Sequence, residues 1–446
     1  MILSASTIEC RRGGKIILPD VSFALSSGQI MAVTGANGSG KSTLLRVLSG
    51  LNRISAGEIQ LNGQAFDSEQ SRDRTIWVGP DTPLKPSLTV RENLSFWMAM
   101  QGEAPDPDAI LKALHRFEAA HLAERKVRTL SSGQKRRAVM ARLFLTPRAL
   151  WLLDEPESAL DAQGRAELTA ALHEHCGDRG AAVIATHQPD LWQPTFTLAL
   201  QNDEQPSSGF YRMPPSDVLQ PKHAARLGAV AVGKATLLRD LLLARRGQAD
   251  CLQPVLLFLL MILLFPLSLG SDTQSLAPLG GGLLMVAALF AALLPLERIF
   301  AGDAADGTLE TLLTTPAPLP AYTAGKMLAH WLGSGLPVVL TAPFAALMLG
   351  MPLDGALSAA GVMLPATLLF TLVGAGLSAL VLSANKGAVL LALLTAPLYI
   401  PVLIFGAAAL NGAGGSLPLL LLWALCAVLV PVAPLLAAGC LTLIKD

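Results

Sequence analysis

With 446 residues, 33 Lys and Arg against 33 Asp and Glu, the chain has room for two or three domains and is formally neutral at pH 7. Its apolar fraction of 52% lies above the usual range of about 45–50%. No basic block or acidic tail is present, which argues against a nucleic-acid partner. Cys10, Cys176, Cys251, Cys426 and Cys440 are scattered without paired or metal-ligand spacing and read as packing residues in a reduced compartment. The neutrality hides a division. After position 250 the basic residues are Arg298, Lys326, Lys386 and Lys445, and the other 29 precede it.

Residues 1–201 alternate short apolar strands with helical stretches, as in Gly28–Thr34 followed by Ser42–Ser49, which predicts an α/β domain on a parallel sheet. The N-terminus lacks a basic stretch followed by an apolar one, so no cleaved signal is expected. Between the first strand and helix, Gly35, Ala36, Asn37, Gly38, Ser39, Gly40, Lys41 and Ser42 fit the phosphate-loop pattern, with Thr43 beside it. Glycines let backbone N–H groups wrap phosphates, Lys41 would reach the β and γ phosphates, and Ser42 would bind Mg2+. Alone, the motif identifies a nucleoside-triphosphate binder.

From Asn202 to Leu227 the chain turns polar and Pro-rich, and a linker is expected over 202–233. Residues 234–246 follow as an expected interfacial helix, with Leu237, Leu238, Leu241 and Leu242 on one face and Arg239, Arg245 and Arg246 off it. Six apolar stretches of roughly the 20 residues that a span needs lie at 252–270, 279–297, 327–350, 355–383, 387–410 and 416–444. They predict an all-α, six-span domain over 234–446. Lys and Arg occupy the loop 298–326, the loop 384–386 and the terminal Lys445, but not 271–278, 351–354 or 411–415. By the positive-inside rule both ends and the α/β domain face the cytoplasm. His330 is the sole histidine of this half and reads as a locally bonded residue rather than a haem ligand.

Further motifs narrow the first half. Leu130–Gln134 (LSSGQ), the apolar run ending in Asp154 and Glu155, Ser158–Asp161, and Thr186–His187 keep the order and intervals of the ATP-binding-cassette (ABC) ATPases, which the chain resembles. Asp154 would hold Mg2+, Glu155 would polarise the attacking water, and His187 would sense the γ-phosphate. The resemblance implies that Ser131, Gly133 and Gln134, together with Asp161, contact nucleotide. In this family Ser131 and Gly133 of one copy complete the site built on Lys41 of another, so a homodimer is expected.

Three departures stand out. Ser132 replaces the usual glycine of the signature. Pro80 or Asp81 falls where the family carries a glutamine. Glu9–Gly14 lacks the aromatic that commonly stacks on adenine, leaving Arg11, Arg12 or neither. Longer stretches, GANGSGKSTLLR to Arg46, LSSGQKRR to Arg137 and ATHQP to Pro189, are similar to CcmA, the ATPase of the bacterial cytochrome c maturation system. Leu264–Gly270, Leu296–Phe300, Asp306–Glu310 and Lys326–Trp331 are similar to CcmB, its membrane partner.

That resemblance implies an ATP-hydrolysing ABC transporter of the bacterial inner membrane, with ATP and Mg2+ as cofactors. It implies the partners CcmC, CcmD and the haem chaperone CcmE, and work on haem or on release of loaded chaperone. The competing reading is an ABC-2-type exporter of a lipid, glycan or drug. The loop Glu297–Lys326 is the expected coupling element between ATPase and membrane domain.

Overall fold

The computed structural model describes residues 3–12, 14–66, 72–200, 207–208, 228–269, 276–382 and 387–443. The expected linker therefore lies mostly outside the described residues, as do Lys386, Lys445 and the side chains of Arg12 and Cys251. The chain divides into two compact units, Met1–Gly228 with Asp303–Ala317, and Ala229–Gly302 with Pro318–Ile444.

In the first unit the strands are β1 (Leu3–Arg12), β2 (Lys15–Leu25), β3 (Ile30–Gly35), β4 (Ala56–Leu61), β5 (Gln64–Ala65), β6 (Thr75–Val78), β7 (Leu150–Asp154), β8 (Ala181–Ala185), β9 (Phe196–Leu200) and β10 (Ser207–Ser208). One sheet has the order β10-β2-β1-β4-β5, and the other has the order β6-β7-β8-β3-β9. The pairs within the second sheet are all parallel. Every residue of β6, β7 and β8 is buried, which is why these strands read as unbroken apolar runs rather than alternating ones.

The helices are α1 (Lys41–Leu48), α2 (Val90–Met100), α3 (Pro107–Arg116), α4 (Ser132–Met140) and α5 (Ala162–Gly177). Ile76, Leu94, Leu114, Val139, Trp151, Leu153 and Ile184 join sheet and helices in one core. Thr89 with Glu92 and Ser131 with Gln134 form capping boxes at α2 and α4, and Asp161 caps α5 through Gly164 N–H. At α1 the cap is Gly40, with no side-chain hydrogen bond.

Among the described residues of the second unit, five helical stretches are long and apolar enough to cross a membrane: Ala277–Ala305, Leu319–Met348, Leu353–Val381, Val389–Leu410 and Leu417–Leu443. Six spans were expected. The first expected span falls on the helix Gln248–Leu269, of 22 residues, whose apolar stretch runs over Leu252–Ser268 among the described side chains. The expected loop 298–326 is shorter than read, because helix resumes at Leu319. A single π-helical turn, Trp331–Gly335, joins Leu319–His330 to Leu336–Met348. Ser334 Oγ donates to His330 O at 2.7 Å, and Trp331 Nε1 donates to Thr367 Oγ1 at 3.1 Å.

The polar face expected for the helix over 234–246 needs correction. The helix runs from Ala229 to Arg246, and its buried face is Val232, Thr236 and Arg239, while Leu238 is exposed. The side chain expected on the polar face is thus inside. Arg239 Nε pairs with Asp240 Oδ1 at 2.8 Å, and Asp240 Oδ2 with buried Lys326 at 3.0 Å. A carboxylate placed between two cations offsets the cost of burying them. A Cβ at Gly325 would lie 2.5 Å from Gly233 O, so these small residues let two helices approach closely.

One buried imidazole gives the first unit a pH dependence. His175 lies flat on Trp151, with centroids 4.1 Å apart and planes at 7°, and burial pushes its pKa down to about 4. A depressed histidine pKa means that the unfolded chain binds the extra proton first. Stability is fully present above about pH 6.5 and falls as pH drops towards 4. The linked free energy is about 3 kcal/mol. His175→Phe, which keeps the stack, is expected to flatten this slope in the thermal unfolding midpoint of the detergent-solubilised chain between pH 4 and 6.5. An unchanged slope would assign the acid sensitivity elsewhere.

Candidate active site

The phosphate loop is built by backbone that only glycine tolerates. Gly35, Gly38 and Gly40 have φ of 148°, 82° and 95°, the left-handed region that favours glycine. A Cβ at Gly35 would meet Leu200 O and Ser39 Oγ at 2.5 Å, and one at Gly40 would meet Ile17 O at 2.8 Å. Leaving Gly38, the chain passes buried Ser39 and enters α1 with the helix N-terminus uncapped by any side chain. An uncapped N-terminus presents free N–H groups and a positive dipole end to an anion. Lys41 Nζ donates to Gly35 O at 2.9 Å and Ala36 O at 3.1 Å, folded across the loop formed by Ala36, Asn37 and Gly38. Thr43 follows on α1, partly exposed.

Parallel strands bring the acidic residues to the same edge. Asp154 ends β7, is 2% exposed, and accepts from Ser42 Oγ at 3.2 Å. Burial pushes its carboxyl above the ordinary aspartate range, opposed by the Ser42 hydrogen bond and by Arg46 and Arg136, and reinforced by Glu155. Glu155 follows in the left-handed region at φ 43°, an unusual conformation for a side-chain-bearing residue and one found at functional sites. Its N–H is held by Ala185 O at 2.9 Å, and its Oε1 lies 3.5 Å from His187 Nε2. His187 is oriented from behind. Glu157 Oε1 accepts from Thr186 Oγ1 at 2.6 Å and from the His187 N–H at 3.3 Å, and Trp192 Nε1 donates to Thr186 Oγ1.

The structure thus brings Ser42 to Asp154 and Glu155 to His187. Ser131, Gly133 and Gln134 stand instead at the start of α4, with Ser131 Oγ accepting from Gln134 N at 3.3 Å. A Cβ on Gly133 would lie 3.1 Å from Ala159 O. Asp161 is tied to Arg137 Nη2 at 2.6 and 2.7 Å. Of the adenine candidates, Arg11 pairs with Glu9, and the Arg12 side chain lies outside the described residues.

Two groups of residues carry the site beyond those assigned to nucleotide or metal from sequence. The first is Arg136, which is 1% exposed. Its Nη1 donates to Gly79 O at 2.8 Å and Pro80 O at 3.3 Å, and its Nη2 to Asp154 O at 3.3 Å and Glu155 O at 3.1 Å. Burial pushes its pKa down to about 10, against the pull of Asp154, Glu157, Asp81 and Glu155, so it stays charged at neutral pH. The loop in which Pro80 and Asp81 replace a glutamine is therefore bound to the acidic strand end through a guanidinium.

The second group lies in Asp303–Ala317. Lys85 pairs with Asp303 and with Asp306 Oδ2, the latter at 2.7 Å. Arg46 Nη2 pairs with Glu310 Oε1 at 2.7 Å. Arg136 sits in the quoted run ending at Arg137 and Glu310 in the run Asp306–Glu310, but nothing local in either stretch announces a partner.

Comparison with known proteins fits this arrangement. A family model for ABC transporters matches residues 18–158, and one for the CcmB protein matches residues 232–443. A cytochrome c biogenesis ATP-binding export protein CcmA from Pseudomonas savastanoi pv. phaseolicola is 41% identical over 187 residues, 42% of this chain and 87% of its own length. The CcmA protein of Paramagnetospirillum magneticum is 42% identical over 192 residues, 41% of this chain and 87% of its own length. A dimeric ATP-binding cassette solved with ADP and Pi is 23% identical, covers 47% of this chain and all of its own, and superposes with a TM-score of 0.42. The chain belongs to the CcmA family of ABC-type ATPases of cytochrome c biogenesis and carries a CcmB membrane domain on the same polypeptide, a CcmA–CcmB fusion.

Proposed function

We propose that this chain is the ATP-driven half of a cytochrome c maturation machine of the bacterial inner membrane, using ATP hydrolysis to export haem or to release the haem-loaded chaperone CcmE. The observation that carries this reading is the presence of CcmA and CcmB sequences in one polypeptide, which holds an ATPase and its membrane companion at one to one. CcmC, CcmD and CcmE are the partners that follow from that kinship. Two copies of the chain would form the working unit, each supplying Ser131, Gly133 and Gln134, with Asp161, to the nucleotide on the other's phosphate loop. Gln248–Leu269 would make a sixth crossing, since 22 residues at 1.5 Å per residue reach about 33 Å. Residues 234–246 would run along the cytoplasmic surface, with both ends of the chain on that side.

The donors around Ser42 suit a magnesium ion. A hydroxyl and a carboxylate 3.2 Å apart, the carboxylate desolvated and so short of counter-charge, form the oxygen-rich partial shell that Mg2+ takes alongside nucleotide phosphates. Bound there, the ion would neutralise charge building on the phosphates. The chain's own side chains do the rest. Gly35 through Gly40 offer N–H groups to phosphate oxygens, and Lys41 leaves the Gly35 and Ala36 carbonyls to reach the β and γ phosphates. Glu155 accepts a proton from the attacking water, and His187, 3.5 Å away, orients that carboxylate and contacts the γ-phosphate. Arg136 fixes the backbone at Asp154 and Glu155, which sets where both carboxylates point.

Three outcomes follow. Glu155→Gln is expected to retain ATP binding and lose at least about 100-fold in turnover, and ordinary turnover would sink the assignment of the base. Arg136→Met leaves four carbonyls without their donor and is expected to cost about 3 kcal/mol, read as a lower unfolding midpoint together with slower hydrolysis; an unchanged midpoint would show that water replaces the guanidinium. Deletion of the gene should stop holocytochrome c formation and trap haem-loaded CcmE, and normal cytochromes in a strain without a second copy would favour an exporter of other cargo.

A further inference from the structure

The segment Asp303–Ala317 is held in the first unit at two places that differ in kind. At one, Asp303 and Asp306 close on Lys85, whose backbone N–H is fixed by Asn93 Oδ1 at 2.6 Å and whose carbonyl accepts from Asn93 Nδ2. This anchor stands on the loop before α2, away from the phosphates in sequence. At the other, Glu310 takes Arg46, which lies on α1 four residues beyond Ser42. Gly307, with φ 75°, turns the chain between the two anchors, and a Cβ there would lie 2.6 Å from Asp81 Cβ.

The second anchor reaches the nucleotide site electrostatically. Asp154 feels the Arg46 charge. Glu310 is pushed above the ordinary glutamate range by burial, is relieved by Arg46, and is pushed further by Asp81 and Asp154. Ser42 and Arg46 stand one turn apart on α1, the first bonded to Asp154 and the second paired with Glu310, so one turn of helix links the metal-binding pair to the docked segment.

We propose that Arg46 and Glu310 are positioning residues through which a divalent cation at Ser42 and Asp154 tightens the docking of the segment Asp303–Ala317. The proposal rests on the reading that Ser42 and Asp154 hold the Mg2+ of bound ATP. A cation beside Asp154 cancels the repulsion between Asp154 and Glu310, so the segment binds more firmly when Mg2+ is present. By linkage, the docked segment raises the affinity for Mg2+-ATP by the same factor. In a chain whose loop offers Asp81 and Pro80 rather than glutamine, this contact supplies a route from metal to segment.

Hydrogen exchange on the full chain in detergent tests it, read on peptides covering Thr308–Leu313, with ATP plus EDTA against ATP plus Mg2+, in a Glu155→Gln background so that nucleotide persists. Mg2+ is expected to slow exchange about fivefold, the low end of ordinary coupling between sites. Adding Glu310→Gln removes that response and weakens Mg2+-ATP binding, followed with a fluorescent ATP analogue, by the same factor. Lys85→Gln, in contrast, speeds exchange with and without Mg2+. An undiminished Mg2+ response in the Glu310→Gln chain overturns the proposal, and its retained nucleotide binding shows that the fold is intact. Mg2+-dependent binding with no exchange response in the parent overturns the proposal alone, whereas nucleotide binding indifferent to Mg2+ overturns the metal-site reading and the proposal together.

Discussion

Four carbonyl oxygens from two loops converge on the guanidinium of Arg136. A buried carbonyl without a donor costs roughly 1–3 kcal/mol, and a buried cation without acceptors costs more, so each solves the problem of the other. The arrangement accepts no smaller donor, because only a planar fork spans both loops at once. The left-handed turn at Glu155, the approach of its carboxylate to His187, and the path of Gly79 and Pro80 all presuppose that this cation is in place.

The second unit meets the same constraint without charge. Several of its hydroxyls turn inward on their own helices: Thr395 Oγ1 donates to Leu391 O, Thr341 Oγ1 to Pro337 O, and Thr323 Oγ1 to Leu319 O. Thr323 also reaches Pro434 O, and Tyr399 reaches Phe370 O, so a few groups stitch separate helices together where hydrocarbon offers no alternative donor. Among the described residues of this unit, the buried cations are Arg239 and Lys326, which share Asp240 between them.

What the sequence made legible was contiguous. The phosphate loop can be read because left-handed φ at Gly35, Gly38 and Gly40 demands glycine at set spacing, and Asp154 can be read because a buried parallel strand is an apolar run with a polar end. Arg136 could not be recognised: the carbonyls it binds belong to residues 18 to 57 positions away, and carbonyls carry no side-chain signature. The partners of Glu310 lie still further off. The buried face of the helix Ala229–Arg246 was misread for a different reason. Its leucine stripe fits a lipid surface, but protein chemistry decides its buried face, since Asp240 and Lys326 make room for Arg239.

Gly307 bears on how such a chain can change over generations. Its φ of 75° and the 2.6 Å that a methyl would leave to Asp81 Cβ exclude every other side chain unless the loop at Asp81 withdraws. Asp81 also belongs, with Pro80, to the loop that falls where the family carries a glutamine, so the two positions are not free to drift separately. A bulkier residue at either one is tolerable only with a compensating loss at the other. In a randomised library, survivors at 81 and 307 should therefore appear as matched pairs, a genetic signature of a contact that neither position reveals alone.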